Sequence, residues 1–157
     1  MANPPDMQID ESTRYEVVLG TTKGEITMVL DPALAPVTVN NFIVNARAGF
    51  YTGLTFHRVV PGFVVQGGDP EGTGRGGPGY KFADEPVRAE YTLGALAMAN
   101  AGPDTNGSQF FICIDDCTQK LGKQYNLFGY VTSGIEVAQS IAVGDTMDTV
   151  TVTEKAD

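Results

Sequence analysis

What most constrains this chain is a succession of short β-prone runs broken by glycine, proline, asparagine and aspartate, with no regular alternation of strand and helix. Tyr15 to Leu19 and Glu25 to Leu30 come first. The second run places Ile26, Met28 and Leu30 on one face, and Thr22-Lys23-Gly24 between the two suits a hairpin turn. Leu54 to Val60, Phe63 to Gln66, Leu93 to Ala99, Ser108 to Ile114, Leu127 to Val131 and Thr149 to Thr153 follow, making eight runs in all. Two segments carry helical spacing. Pro36 opens a stripe of Val39, Phe42, Ile43 and Ala46 that Gly49 closes, and Ile135 to Ala142 repeats Ile135, Ala138 and Ile141 by threes. A doubly wound parallel sheet needs repeated β-α-β units, which are missing here. The expected architecture is mainly β: a closed eight-stranded antiparallel β-barrel capped by two α-helices, each burying its apolar face at one mouth.

The length of 157 residues suits one domain of ordinary size. Residues 1–13, with Pro4, Pro5 and no periodicity, read as a flexible N-terminal arm, and residues 14–157 as a single domain. Hydrophobic residues at 42% and charged residues at 18% supply a core and argue against disorder. The longest apolar runs, Ala95 to Ala99 and Phe110 to Ile114, are five residues, against the roughly 20 of a membrane span. Neither a transmembrane helix nor a secretory signal peptide is expected. The net charge of −9, with the ten cations scattered from Arg14 to Lys155, repels phosphate backbones and sets nucleic-acid binding aside. Cys113 and Cys117 have one histidine for company, too few ligands for structural zinc. They read as reduced, buried or half-buried thiols of a cytoplasmic protein, because a disulfide between them would break the strand that holds Cys113.

Nineteen residues are glycine, and eight of them lie between Gly62 and Gly79, so that segment needs unusual backbone freedom. Gly72-Thr73-Gly74-Arg75-Gly76-Gly77 satisfies the dinucleotide fingerprint G-x-G-x-x-G. That pattern binds a pyrophosphate only at a helix N-terminus, and no helical periodicity follows here, so a surface loop is the better reading. Asn106-Gly107-Ser108 matches a glycosylation sequon, which turn chemistry explains equally well. His57 is the only histidine, and Ser108 sits outside any nucleophile elbow, which disfavours a hydrolase. Strand alternation points His57 away from Phe56 and Arg58, as expected of a structural histidine bonded to backbone. Arg58 shares its parity with Leu54, Phe56 and Val60, an apolar setting that is costly for a guanidinium without partners. A surface strand with its charge in water is one account. The other is a pocket: Gln109, Phe111 and Cys113 share one strand face, and with Phe63, Val64 and Gln66 adjoining they would leave Arg58 at an apolar rim beside two amides.

Phe56-His57-Arg58-Val59-Val60-Pro61-Gly62-Phe63-Val64-Val65-Gln66-Gly67-Gly68-Asp69, and the block from Met98 to Ile112, closely resemble the two signature blocks of the cyclophilin-type peptidyl-prolyl cis-trans isomerases. Supporting similarity runs from Lys23-Gly24 through Ala35 to Phe42 and on to Leu127-Phe128-Gly129, and the short route from Gly72 to Glu85 is similar to the compact bacterial form. The resemblance implies the same capped barrel and an isomerase of X-Pro bonds without metal or cofactor. It implies Arg58 as the catalytic residue. Phe63, Val64, Phe111 and Leu121 then wall a proline pocket, Gln66, Asn100 and Gln109 meet the peptide backbone, Ala99 and Ala101 line the groove, and Tyr125 stands where many members have histidine. Val64 replaces the family's usual methionine. The implied partners are proline-containing peptides and unfolded protein chains, met by a monomer. Cyclosporin is an implied ligand with weakened affinity, since the chain has no tryptophan and Lys120 occupies the place where many members carry one. A non-catalytic proline-peptide binding module on the same barrel is the rival reading, and a nucleotide-dependent enzyme a more distant one.

Overall fold

The computed structural model describes residues 3–155. The described residues form strands β1 (Arg14–Thr21), β2 (Gly24–Leu30), β3 (Phe56–Val60), β4 (Val64–Gly67), β5 (Ala95–Met98), β6 (Phe110–Cys113), β7 (Leu127–Ser133) and β8 (Met147–Lys155), with helices α1 (Pro36–Arg47) and α2 (Ile135–Ser140). Every strand lies on one of the eight runs read from the sequence. The strands make one antiparallel sheet in the order β3-β4-β6-β5-β7-β2-β1-β8. The sheet curls until its edges, β3 and β8, approach, and they meet without a continuous ladder. A bridge between Thr55 and Thr146 closes the seam, supported by Phe56 N–H donating to the Asp145 carbonyl at 2.8 Å and Met147 N–H to the Leu54 carbonyl at 2.8 Å.

Strand alternation sorts side chains to two faces. Val17, Leu19, Ile26, Met28, Leu30, Val65, Leu96, Phe110 and Ile112 point inward with Val39, Phe42, Ile43 and Ala46 of α1. The aromatic centre is Phe42, stacked on Tyr51 at 4.7 Å and set edge-on to Phe110 at 5.4 Å. α2 contributes less: Ala138 is its one fully buried residue. The other face of β4, β5, β6 and β7 carries a second apolar cluster, centred on Val64, Ala95, Ala97, Phe111, Cys113 and Leu127. A sheet apolar on both faces explains why β5 and β6 are unbroken apolar runs and not alternating ones. The outer cluster is where the site lies.

The segment expected as a flexible arm begins with two residues outside the described ones. Farther on, Gln8 and Ile9 both donate their N–H groups to Asn40 Oδ1, at 2.9 and 3.3 Å, and Asn40 Nδ2 donates to the Asp6 carbonyl at 3.0 Å. Ile9 is buried against the main core. Asn40 on α1 thus uses both ends of its amide, which is what makes its burial tolerable.

α1 opens on Pro36 with no capping side chain of its own. Glu85, from a distant loop, supplies the cap: its carboxylate accepts Val37 N–H at 3.0 Å, Thr38 N–H at 2.7 Å and Thr38 Oγ1–H at 2.6 Å. A carboxylate at a helix N-terminus satisfies free donors and meets the positive end of the helix dipole. Glu85→Ala is expected to cost about 1 kcal/mol in urea unfolding, the usual worth of an N-cap; an unchanged midpoint and slope would remove Glu85 from that role.

Candidate active site

The first determinant of the site is a fault in β3. Phe56 pairs with Gly67 while Arg58 pairs with the very next residue of β4, Gln66, so His57 is an extra residue in the ladder. The even alternation read from the sequence, with Phe56 and Arg58 on one face, therefore fails. The bulge turns Phe56 fully into the core and leaves Arg58 exposed on the outer face. Beyond the bulge, Arg58, Gln66, Phe111 and Ala97 are successive cross-strand partners over β3, β4, β6 and β5. A cation, an amide, an aromatic ring and a methyl group thus stand in one row.

Over this row lies a cleft of about 510 Å³. It brings together Arg58, Phe63, Val64, Gln66, Ala99, Asn100, Phe111, Leu121 and Tyr125 from the sequence-based set, with His57, Thr73 and Gly74 besides. Val64 and Phe111, 2% and 4% exposed, form an apolar floor. The Tyr125 ring meets Phe111 edge-on at 5.5 Å. Tyr125 is itself fixed from below: Tyr91 hydroxyl donates to the Tyr125 carbonyl at 2.6 Å, and burial pushes Tyr91 up to about 12. Lys120 Nζ donates to the Gly62 carbonyl at 2.6 Å and ties the segment carrying Leu121 to the β3-β4 turn. Ala101 and Gln109 lie outside this cleft. They line an adjoining one of about 550 Å³, which shares Gln66, Gly74, Ala99 and Asn100 with the first.

A cation over an apolar floor, with two adjoining clefts and no cluster of metal-ligating side chains among the described residues, is the arrangement to set beside known proteins. The family model for cyclophilin type peptidyl-prolyl cis-trans isomerases matches residues 16–156. The chain belongs to the cyclophilins. It is 52% identical over 130 residues to peptidyl-prolyl cis-trans isomerase B of Bacillus subtilis, covering 82% of this chain and 90% of that one. A Helicobacter pylori peptidyl-prolyl cis-trans isomerase is 45% identical over 134 residues, covering 83% and 82%. Among solved structures, a Cryptosporidium parvum cyclophilin superposes with a TM-score of 0.83 at 30% identity, over 91% of this chain and 99% of its own. The same parasite protein, in the presence of the dipeptide Ala-Pro, gives 0.81 at 31% identity over 88% and 98%.

Polar groups of this cyclophilin's site are held in fixed directions. Arg58 Nη1 donates to Gln66 Oε1 at 3.2 Å, Gln66 Nε2 to Gln109 Oε1 at 3.0 Å, and Gln109 Nε2 to the Gly76 carbonyl at 3.0 Å. Asn100 Nδ2 donates to the Gln124 carbonyl at 2.8 Å and Asn100 Oδ1 accepts Gly102 N–H at 3.2 Å, so its side chain is committed to joining two loops. His57 is not bonded to backbone as expected. Neither ring nitrogen has a hydrogen-bond partner among the described residues, because the bulge turns the ring beneath Gly74 and away from the ladder. Burial holds the imidazole below its usual range; Asp69 opposes that and Arg58 reinforces it, while the Gln109 amide lies near without hydrogen-bonding geometry. Cys113 and Cys117 are free and buried behind the floor, and burial pushes both thiols up, away from the reactive thiolate.

The sequence reading misses Thr73 and Gly74 because the glycine segment reads as a surface loop, and His57 because it reads as a structural histidine. One signal was present: Asp69 stands just before it. The Asp69 carboxylate, 1% exposed, accepts Glu71 N–H at 2.8 Å, Thr73 N–H at 2.9 Å and Gly74 N–H at 2.6 Å. No helix follows, so the fingerprint G-x-G-x-x-G is a loop folded around an internal carboxylate. Burial alone would raise the Asp69 carboxyl, but the backbone donors outweigh it and hold it below the ordinary carboxylate range. Its stabilising contribution is therefore present above an unfolded value of about 3.9 and is lost as pH falls through the lower folded value. In an acid titration by NMR, the Thr73 and Gly74 amide resonances should move together with a midpoint below about 3.9; separate midpoints, or a common one above that value, would contradict this account.

Proposed function

We propose that this cyclophilin turns X-Pro bonds in unfolded or flexible protein chains, with Arg58 as hydrogen-bond donor to the proline nitrogen. Rotating a peptide bond breaks amide resonance across a barrier of about 18 to 20 kcal/mol. Uncatalysed X-Pro isomerisation takes tens to hundreds of seconds, slow enough to limit folding. In the twisted state the proline nitrogen leaves conjugation and regains a lone pair, so a donor aimed at it favours that state over either planar one. The observation that carries the reading is the guanidinium at the rim of a nearly buried apolar floor, with one N–H spent on Gln66 and the remaining donors of its fork unspent on that amide.

Phe63, Val64, Phe111 and Leu121 suit the proline ring by shape and polarity, and a ring gripped there leaves the carbonyl side free to swing. Gln66 and Gln109 offer amides to the peptide backbone. Asn100 would serve through its main chain, whose N–H and C=O have no hydrogen-bond partner among the described residues. No covalent bond to the enzyme is formed in this scheme. A millionfold acceleration requires about 8 kcal/mol, while a hydrogen bond to a charged group is worth about 1.5 to 3 kcal/mol, so pocket shape and pre-ordering supply the larger part. The isomerase names of the bacterial relatives and the Ala-Pro dipeptide of the Cryptosporidium protein support the substrate class. A monomer in the cytoplasm is the setting we propose, supported by two unpaired thiols and a strongly acidic chain.

Arg58→Ala should lower turnover in a protease-coupled isomerisation assay by about a hundredfold or more, with circular dichroism and thermal midpoint near wild type because the side chain is exposed. Near wild-type turnover would refute the role. Lys120 in place of a tryptophan removes one aromatic contact for cyclosporin, so Lys120→Trp is expected to tighten cyclosporin binding about tenfold. Equal affinity of the two proteins by calorimetry would remove Lys120 as the cause of weak binding.

A further inference from the structure

We infer that Asp69 is a positioning residue for the Arg58 guanidinium, acting through the glycine loop and two glutamine amides; this rests on the reading of Arg58 given above. A side-chain amide has an acceptor end and a donor end, so a row of amides has a direction, and the group that terminates the row sets it. Here the terminus is the Gly76 carbonyl. It can only accept, so it takes the donor end of Gln109 and turns Gln109 Oε1 toward Gln66. Gln66 then presents Nε2 to that oxygen and Oε1 to Arg58. Without the carbonyl either amide is free to turn over. A flipped Gln66 would show its NH₂ to a guanidinium that has only donors, and the cation would lose its anchor.

The Gly76 carbonyl is in place because of Asp69. From residue 68 to residue 80 the chain has no strand or helix, so its backbone donors need another acceptor. The buried Asp69 carboxylate gathers three of them, from Glu71, Thr73 and Gly74. Gly76 lies so close against Asp69 Oδ1 that a Cβ there would overlap the carboxylate. Asp69 itself lines neither cleft, so it meets no substrate in this arrangement and acts only by holding the loop. The site is thus coupled, from a buried anion through a glycine loop, a carbonyl and two amides, to the exposed cation at its rim.

The test compares kcat/KM of wild type, Asp69→Asn, Gln109→Leu and the double variant, with the Arg58 Nε–Hε resonance of each followed by NMR. Asn keeps the shape of Asp69 but sets an NH₂ among backbone N–H groups. Asp69→Asn should lower kcat/KM about tenfold, the scale of one lost charge-assisted hydrogen bond, and shift the Arg58 resonance. In the Gln109→Leu background, where the row is already cut, it should lower kcat/KM no further. Wild-type activity with an unmoved Arg58 resonance, or a full additional loss in the double variant, overturns the inference. Should Asp69→Asn fail to fold, Gly76→Ala replaces it, since its methyl would overlap Asp69 Oδ1 and push the Gly76 carbonyl off its place beside the carboxylate; the same outcomes decide. Arg58→Ala measured alongside separates the two claims: high activity there defeats the reading of Arg58, whereas a dead Arg58→Ala with an unaffected loop variant defeats only the part given to Asp69.

Discussion

A guanidinium beside an apolar floor is held there by a single neutral acceptor among the described residues, Gln66 Oε1 at 3.2 Å. A carboxylate in that position would hold the charge more firmly, yet it would also neutralise the field that, in the proposed mechanism, meets the proline nitrogen. A neutral amide orients the cation and leaves its charge uncompensated. The rest of the site follows from that choice. An amide has to be turned the right way, so Gln109 and the Gly76 carbonyl are needed to turn it, and the loop that carries Gly76 is folded around Asp69.

The fold serves this arrangement by being apolar on both sides of part of one sheet. β4, β5 and β6 give alternate residues to the barrel interior and to the outer cluster, so Phe110 and Ile112 stabilise the protein while Phe111 builds the floor and Cys113 packs behind it. The floor therefore moves only if the core moves. By contrast, the walls come from loops tied by a few polar bonds: Lys120 to Gly62, Asn100 to Gln124, and two between Tyr91 and Tyr125.

Much of this was legible in the residues. The eight strands announce themselves by composition and turn residues, and α1 by its stripe from Val39 to Ala46, because burial on a regular element imposes a period. Gln109, Phe111 and Cys113 were placed on one face by the same rule. The rule failed at His57, where one inserted residue shifts the ladder; local sequence carries no mark of a bulge, since the fault is defined by the partner strand. It also missed Thr73 and Gly74, because a loop folded around a buried carboxylate has no period at all. The Glu85 cap on α1 escaped for a related reason: it comes from 47 residues farther along than Thr38, and capping signals are sought next to the helix.

The claim that the chemistry resides in a charge aimed at a twisted imide, and not in binding, is tested most directly by exchange NMR on an Ala-Pro-containing peptide. The cis-trans exchange rate on the enzyme and the peptide's dissociation constant are both measured, for wild type and Arg58→Ala. The account predicts that exchange on the enzyme collapses toward the uncatalysed rate while affinity stays within about threefold, because the pocket that grips the ring is intact. Exchange that persists in Arg58→Ala, or that falls only in proportion to lost affinity, would contradict it.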